Sequence, residues 1–316
     1  MATGKPLSDR SVPSRLRRLW DSDIAWSYRS SPVTIVASVV AAILVVAAVF
    51  APWVAPYNPF DAATLNLMEG FSPPGEPSPV TGRVFLMGTD GQGRDVYSAI
   101  LYGSRVSLLV GVCSVVFSVV LGVTLGLMSG YIGGRLDALI MRIADIQLSL
   151  PAILIALLVF GVVRGLIAPA YHEQGAIVVL IVAIGLSNWA QYARTVRGST
   201  LVEKNKDYVL AARVMGRSTS AIMGQHILPN VTGPVLVIAT INLALAIIEE
   251  ATLSFLGVGV PPTQPSLGTL IRVGQQFLFS GEWWILLFPA LTLVILALSI
   301  NLLGDWLRDA LNPKLR

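Results

Sequence analysis

The sequence predicts an all-α integral membrane protein with six transmembrane helices. Three observations carry that reading: a charge-poor composition, six apolar runs of spanning length, and a one-sided distribution of Lys and Arg. Hydrophobic residues make up 54% of the 316-residue chain and charged residues 13%, with a mean hydropathy of +0.71. A soluble domain carries roughly a quarter charged residues, so this chain has too little polar surface to face water all round.

A hydrocarbon core of about 30 Å needs roughly 20 residues of helix to cross it. The runs that meet this requirement are 33–55, 106–128, 146–163, 176–193, 231–248 and 283–303. The first holds no charge, and the third to fifth are the shortest, at 18 residues each. Cytoplasmic loops of membrane proteins are enriched in Lys and Arg. With six spans and the N-terminus inside, 17 of the 22 basic residues fall on the cytoplasmic side, in 1–32, 129–145, 194–230 and 304–316. The opposite side holds Arg83, Arg94, Arg105, Arg164 and Arg272. Both termini are therefore expected in the cytoplasm.

The first apolar run is longer than the roughly 7–15 residues of a signal-peptide core and starts beyond residue 30, so it is expected to stay as an anchor. Before it, Leu16, Leu19, Trp20 and Ile24 recur at helical spacing among basic residues. This stretch reads equally as a helix lying on the inner membrane surface and as a free tail. The chain divides into a cytoplasmic segment 1–32, a first helix with a long outer loop 33–105, a core transmembrane domain 106–303 containing the loop 194–230, and a tail 304–316. The outer loop is rich in Pro and Gly and shows no packed core.

Basic residues cluster between apolar runs, with no basic face interleaved with aromatics, which excludes a nucleic-acid partner. The single cysteine, Cys113, sits in an apolar run and allows neither a disulfide framework nor a cysteine metal site. His172 and His226 fall on opposite sides of the membrane and cannot share a metal or a proton.

The loop 194–230 carries the most specific pattern. Asp207 suits an N-cap. Tyr208, Ala211, Ala212 and Met215 follow at i, i+3, i+4 and i+7 on one narrow face. Gly216 can end that helix in the left-handed region. Ser218 can cap a second short helix that is expected to stop near Pro229. Two short helices meeting at a glycine form a compact knob, and the paired alanines let a partner surface approach closely. An amphipathic loop resting on headgroups is the plainer alternative.

The spacing of Ala211-Ala212, Gly216 and Leu228-Pro229 resembles the coupling loop, or EAA motif, of ATP-binding-cassette importer permeases. Leu210 stands where that motif has glutamate, and His226 where it usually has isoleucine. Further blocks extend the resemblance over nearly the whole chain: LMGTDGQGRD from Leu86 to Asp95, YGSRVSL from Tyr102, EATLSFLGVG from Glu250 with Pro261-Pro262 and Pro265-Ser266, and LGDWLRD from Leu303. Together they are similar to the dipeptide, oligopeptide and nickel permease group. The N-terminal layout through Phe50-Ala-Pro resembles its second, C-type member.

The resemblance implies a type I importer fold and a place in the bacterial inner membrane. It implies a homologous second permease, two ATPase subunits docked on the coupling helices, and an external solute-binding protein. ATP and Mg²⁺ would sit on the ATPases, with no cofactor, metal or catalytic residue on this chain. The cargo would be a dipeptide or oligopeptide, or alternatively nickel or another peptide-like solute. A secondary transporter is the competing class, but it calls for ion-coupling carboxylates within the spans. A membrane scaffold that transports nothing is the third class.

Other residues divide between packing and pathway. Glu249 and Glu250 follow the fifth run directly, and a charge at membrane depth usually faces a cavity or a partner. Glu249 is expected as a helix-end carboxylate paired with Arg272; Glu250 serves equally as gate or structure. Asp145 is expected to pair with Arg142. Asn188 and Asn301 suit bonds between helices, with a pathway role for either as the alternative. Gly122, Gly126 and Gly130 recur every fourth residue, a stripe for close helix approach. The outer stretch with Gly88, Asp90, Gly93, Arg94 and Asp95 lacks the lysine and order of a phosphate loop. It is expected to form a structured turn near a partner.

Overall fold

The computed structural model describes residues 23–61, 65–78, 80–168, 171–261, 263–264 and 266–311. The N-terminal residues Leu16, Leu19 and Trp20, the prolines Pro262 and Pro265, and the tail from Asn312 lie outside that set. Among the described residues the chain is all helix, with two isolated β-bridges and no strand. Five helices are long and apolar enough to cross a membrane, or six when one sharply bent pair counts as a single span.

Helix α1 (Asp23–Ser30) leads into α2 (Pro32–Val49), where Ser31 accepts the Thr34 N–H at 3.3 Å and Pro32 opens the first turn. Val33, Val36, Val39, Ile43 and Val46 of α2 point outward, the arrangement of a span at the edge of a bundle. A short α3 (Ala51–Val54) ends it.

Helix α4 (Val96–Ile132) begins ten residues earlier than the apolar run at 106 suggests. Asp95 explains the early start: its Oδ2 accepts both the N–H and the hydroxyl of Ser98, at 2.9 and 2.5 Å. Gly133, with φ of 74°, ends the helix. At 1.5 Å per residue its 37 residues reach about 55 Å, well beyond the hydrocarbon core. The glycine stripe packs on α7 (His172–Glu203) as expected. A Cβ at Gly122 would lie 2.6 Å from the Trp189 carbonyl, and one at Gly126 2.6 Å from that of Ala193.

The expected third span, 146–163, is broken. Helix α5 (Gly134–Leu148) and α6 (Ala152–Leu166) meet at 106° around Ser149, Leu150 and Pro151. Pro151 disfavours a helical residue before it and removes a donor, which ends α5. The 15 residues of α6 reach only about 22 Å.

Helix α8 (Asp207–Val214) is followed by α9 (Thr219–Ala221), a π-helical turn Ile222–Ile227 and α10 (Leu228–Phe255) without interruption. The expected stop at Pro229 is absent because this proline stands in the first turn of α10, where its missing N–H costs least. The widened turn before it re-spaces the carbonyls: the Leu228 N–H bonds Met223, and Asn230 Nδ2 donates to His226 O at 2.7 Å. Helix α11 (Leu267–Gln275), capped by Ser266, and α12 (Trp284–Leu311) complete the chain.

The described residues of 56–95, a stretch expected to lack a packed core, form a cap instead. Its interior is largely polar: Thr89, Ser72 and Glu69 are buried with Phe85. The Thr89 hydroxyl donates to Glu69 O at 2.6 Å and accepts the Ser72 N–H at 2.8 Å. Composition hides such a core because hydrogen bonds, not apolar area, hold it together.

Candidate functional site

The knob at 207–230 is mounted rigidly on the bundle. Val209, Ala212, Ile222 and Ile227 share one core with Leu127 of α4, Tyr192 and Val196 of α7, and Val231 of α10. Polar ties surround it. Lys204 Nζ donates to Gly130 O at 2.9 Å, Asn230 Nδ2 to Tyr208 Oη at 3.1 Å, and the Arg213 guanidinium lies over the Tyr131 ring at 5.6 Å. Tyr208 donates its hydroxyl to Glu203. Burial and that carboxylate push the Tyr208 phenol up to about 12.

Gly216 (φ 75°) closes α8 in a Schellman arrangement, with Gly216 N–H bonded to Arg213 O at 3.0 Å and Arg217 N–H to Ala212 O at 3.1 Å. Two details differ from the sequence reading. Asp207 is not the N-cap but the first helical residue; Lys206 caps through backbone alone, leaving the Asp207 carboxylate to favour the helix dipole. The face of Tyr208, Ala211, Ala212 and Met215 is also split. Ala212 is fully buried beneath the helix, whereas Ala211 is exposed beside Leu210, Val214 (89%) and Met215 (73%). An exposed apolar patch on a short, firmly mounted helix is the form of a protein-docking surface.

Glu250 lies fully buried where α4, α10 and α11 meet. Ser107 donates to its Oε2 at 2.6 Å and Ser254 to its Oε1 at 2.7 Å, and the Leu267 N–H reaches Ser107 Oγ at 3.2 Å. The carboxylate thus ties three helices together. Ser107 was invisible as a site residue because its partner lies 143 positions away.

Glu249 is not at a helix end and does not pair with Arg272. It sits six residues before the end of α10, and Asn188 of α7 donates to its Oε2 at 2.9 Å. Arg272 folds instead over the backbone of Gly257. Asn301 is exposed on α12. Asp145 pairs with Arg194 of α7 rather than with Arg142.

On the cap, Gly88 and Gly93 both have φ of 74°. Asp90 Oδ1 accepts the N–H groups of Gln92 and Arg94, at 2.8 and 2.9 Å. Burial lifts the Asp90 carboxyl above its usual range against these contacts. The Arg94 guanidinium lies 5.7 Å from the Phe60 ring centre, and Asp95 caps α4. A Cβ at Gly88 would lie 2.7 Å from Trp284 Nε1, which donates to Thr89 O at 3.0 Å. This stretch therefore joins the cap to both α4 and α12. Among the described residues no three His, Cys, Asp or Glu side chains converge as a metal-binding group.

Several spans, a rigid knob with an exposed apolar patch and a polar cap define a multi-pass membrane subunit built to work with other proteins. The family described as binding-protein-dependent transport system inner membrane component matches residues 122–316, and the N-terminal transmembrane domain of oligopeptide transport permease C matches 18–74. The chain belongs to this family of inner-membrane transport permeases. It is 42% identical over 292 residues to the dipeptide transport system permease protein DppC of Escherichia coli K12, covering 92% of each chain. It is 37% identical over 313 residues to the di/tripeptide transport system permease protein DppC of Pseudomonas aeruginosa, covering 98% of this chain and 97% of that one. Identity to the oligopeptide transport system permease protein OppC of Bacillus subtilis is 37% over 299 residues, 94% and 90% of the two chains.

Proposed function

We propose that this chain is the transmembrane permease subunit of an ATP-driven, binding-protein-dependent importer of dipeptides or oligopeptides. It forms half of a pathway with a homologous second permease, and two ATPase subunits supply the energy, one of them seated on the knob at 207–230. ATP and Mg²⁺ belong to the ATPases and none binds here. The knob end and both termini face the cytoplasm, as the excess of basic residues there favours, and the cap faces the solute-binding protein.

The observation that carries this reading is the patch of Leu210, Ala211, Val214 and Met215, exposed on a helix whose opposite side is locked into the bundle core. A surface fixed in this way passes an ATPase movement to α4, α7 and α10 without slack. The test is uptake into proteoliposomes holding both permeases, with and without the ATPases and the binding protein. Peptide should accumulate only with ATP and the full set of subunits; accumulation without the ATPases refutes the reading, and nickel uptake in place of peptide changes the cargo.

A further inference from the structure

We propose that Glu249, held by Asn188, is a docking point inside the membrane for the ammonium group of the imported peptide. The proposal rests on the peptide-import reading above and adds a binding site to it.

Depth is the first argument. Asn188 lies inside the apolar run 176–193 of α7, and Glu249 lies in α10 six residues before its end, so the carboxylate sits between two membrane-spanning helices. A carboxylate at that depth is costly unless it meets water or a cation. None of the ion pairs Arg194–Asp145, Arg197–Asp137 and Lys206–Glu203 involves Glu249, and among the described residues its polar contact is the Asn188 amide. Its bond comes from a neutral amide, which orients the carboxylate without neutralising it. Its neighbour Glu250, by contrast, is fully enclosed by hydroxyl donors.

Position is the second argument. Glu249 is half-buried, with the exposed apolar residues Leu245 and Ile248 beside it on α10. Seven residues earlier on the same helix, Asn242 Nδ2 donates to Gln191 Oε1 of α7 at 3.2 Å. Seven residues are close to two helical turns, so the two cross-helix pairs form one polar seam along α7 and α10. Facing lipid, this seam would expose a charge to hydrocarbon; bordering a passage between subunits, it offers one negative group. A short peptide carries one complementary charge at its leading end, the α-ammonium, while its own carboxylate is repelled. Pinning α7 to α10 alone would need only neutral side chains, as Gln191 and Asn242 show.

The experiment uses the complete importer in proteoliposomes and two dipeptides matched for affinity to the binding protein, one with a free α-amine and one with a hydroxyl in its place. The wild type should favour the amine. Glu249→Gln, which keeps the Asn188 bond, should cut uptake of the amine substrate about tenfold, the size of one charge-assisted hydrogen bond, and leave the hydroxyl analogue within about twofold. Glu249→Asp should keep the preference. An equal fall for both substrates, no change for either, or failure of both variants to assemble with the second permease overturns the proposal. A wild-type complex that imports neither dipeptide overturns the peptide reading instead.

Discussion

Arg197 of α7 grips Asp137 of α5 through two parallel bonds, Nε to Oδ1 at 2.5 Å and Nη2 to Oδ2 at 2.7 Å. Ser129 of α4 adds its hydroxyl to the same carboxylate at 2.5 Å. Three helices thus meet at one acidic group beside the knob. Arg197→Ala leaves that group with one donor, and the loss should be on the order of 1 kcal/mol, since the guanidinium is a third exposed. Thermal unfolding of the purified subunit checks this, and Asp137→Asn should lower the midpoint less.

The two alanines of the knob should behave differently. Ala211→Trp adds bulk to an exposed surface and should abolish ATPase binding while the subunit keeps its stability. Ala212→Trp must enter a filled core and should cost several kcal/mol, more than the about 1–3 of modest overpacking. Pull-down of the ATPases and unfolding of each variant separate the two effects; retention of the ATPases by Ala211→Trp would count against the docking surface.

Gly216 tests the hinge apart from its surroundings. A Cβ there meets nothing within 4 Å, so the cost of Gly216→Ala is only that of its positive φ, about 1–2 kcal/mol. Uptake should persist at reduced level. Gly216→Pro forbids φ of 75° and removes the Schellman donor, and should abolish uptake with insertion intact.

Gly126 is the reverse case, with space lacking and backbone normal. Gly126→Ala brings a methyl within 2.6 Å of the Ala193 carbonyl and forces α4 from α7, costing about 1–3 kcal/mol. Gly161→Ala, with nothing within 4 Å, should be neutral or slightly stabilising. Paired melting curves give the contrast.

Tyr208 supplies the pH prediction. Its folded phenol is raised from 10.0 to about 12, so the protonated form is favoured by folding. The stabilisation is fully present below about pH 10 and is lost as pH rises through 12. Ultraviolet titration of wild type against Tyr208→Phe should show one phenolate appearing near 12; a matching difference near 10 would refute the Glu203 bond.

Much of this was legible in the chain. Spans announced themselves because a bilayer demands long apolar runs, and the glycine stripe because close approach demands small residues. Gly216 was legible because a left-handed end favours glycine. The early start of α4 was partly written in Asp95 and Ser98, a cap placed among residues too polar to score as a span. Partners distant in sequence were not legible: nothing in local spacing tells Asp145 to choose Arg194, or Glu249 to choose Asn188. The fate of Ala212 was hidden for the same reason, since helical periodicity defines a face but not what lies under it.

The bond from Trp284 Nε1 to the Thr89 carbonyl, with Gly88 wedged beneath the indole, fastens the cap to the first turn of α12. That helix runs 28 residues, about 42 Å, to the opposite end of the bundle. A push on the cap is therefore felt directly at α12, and the cap is a handle as much as a cover.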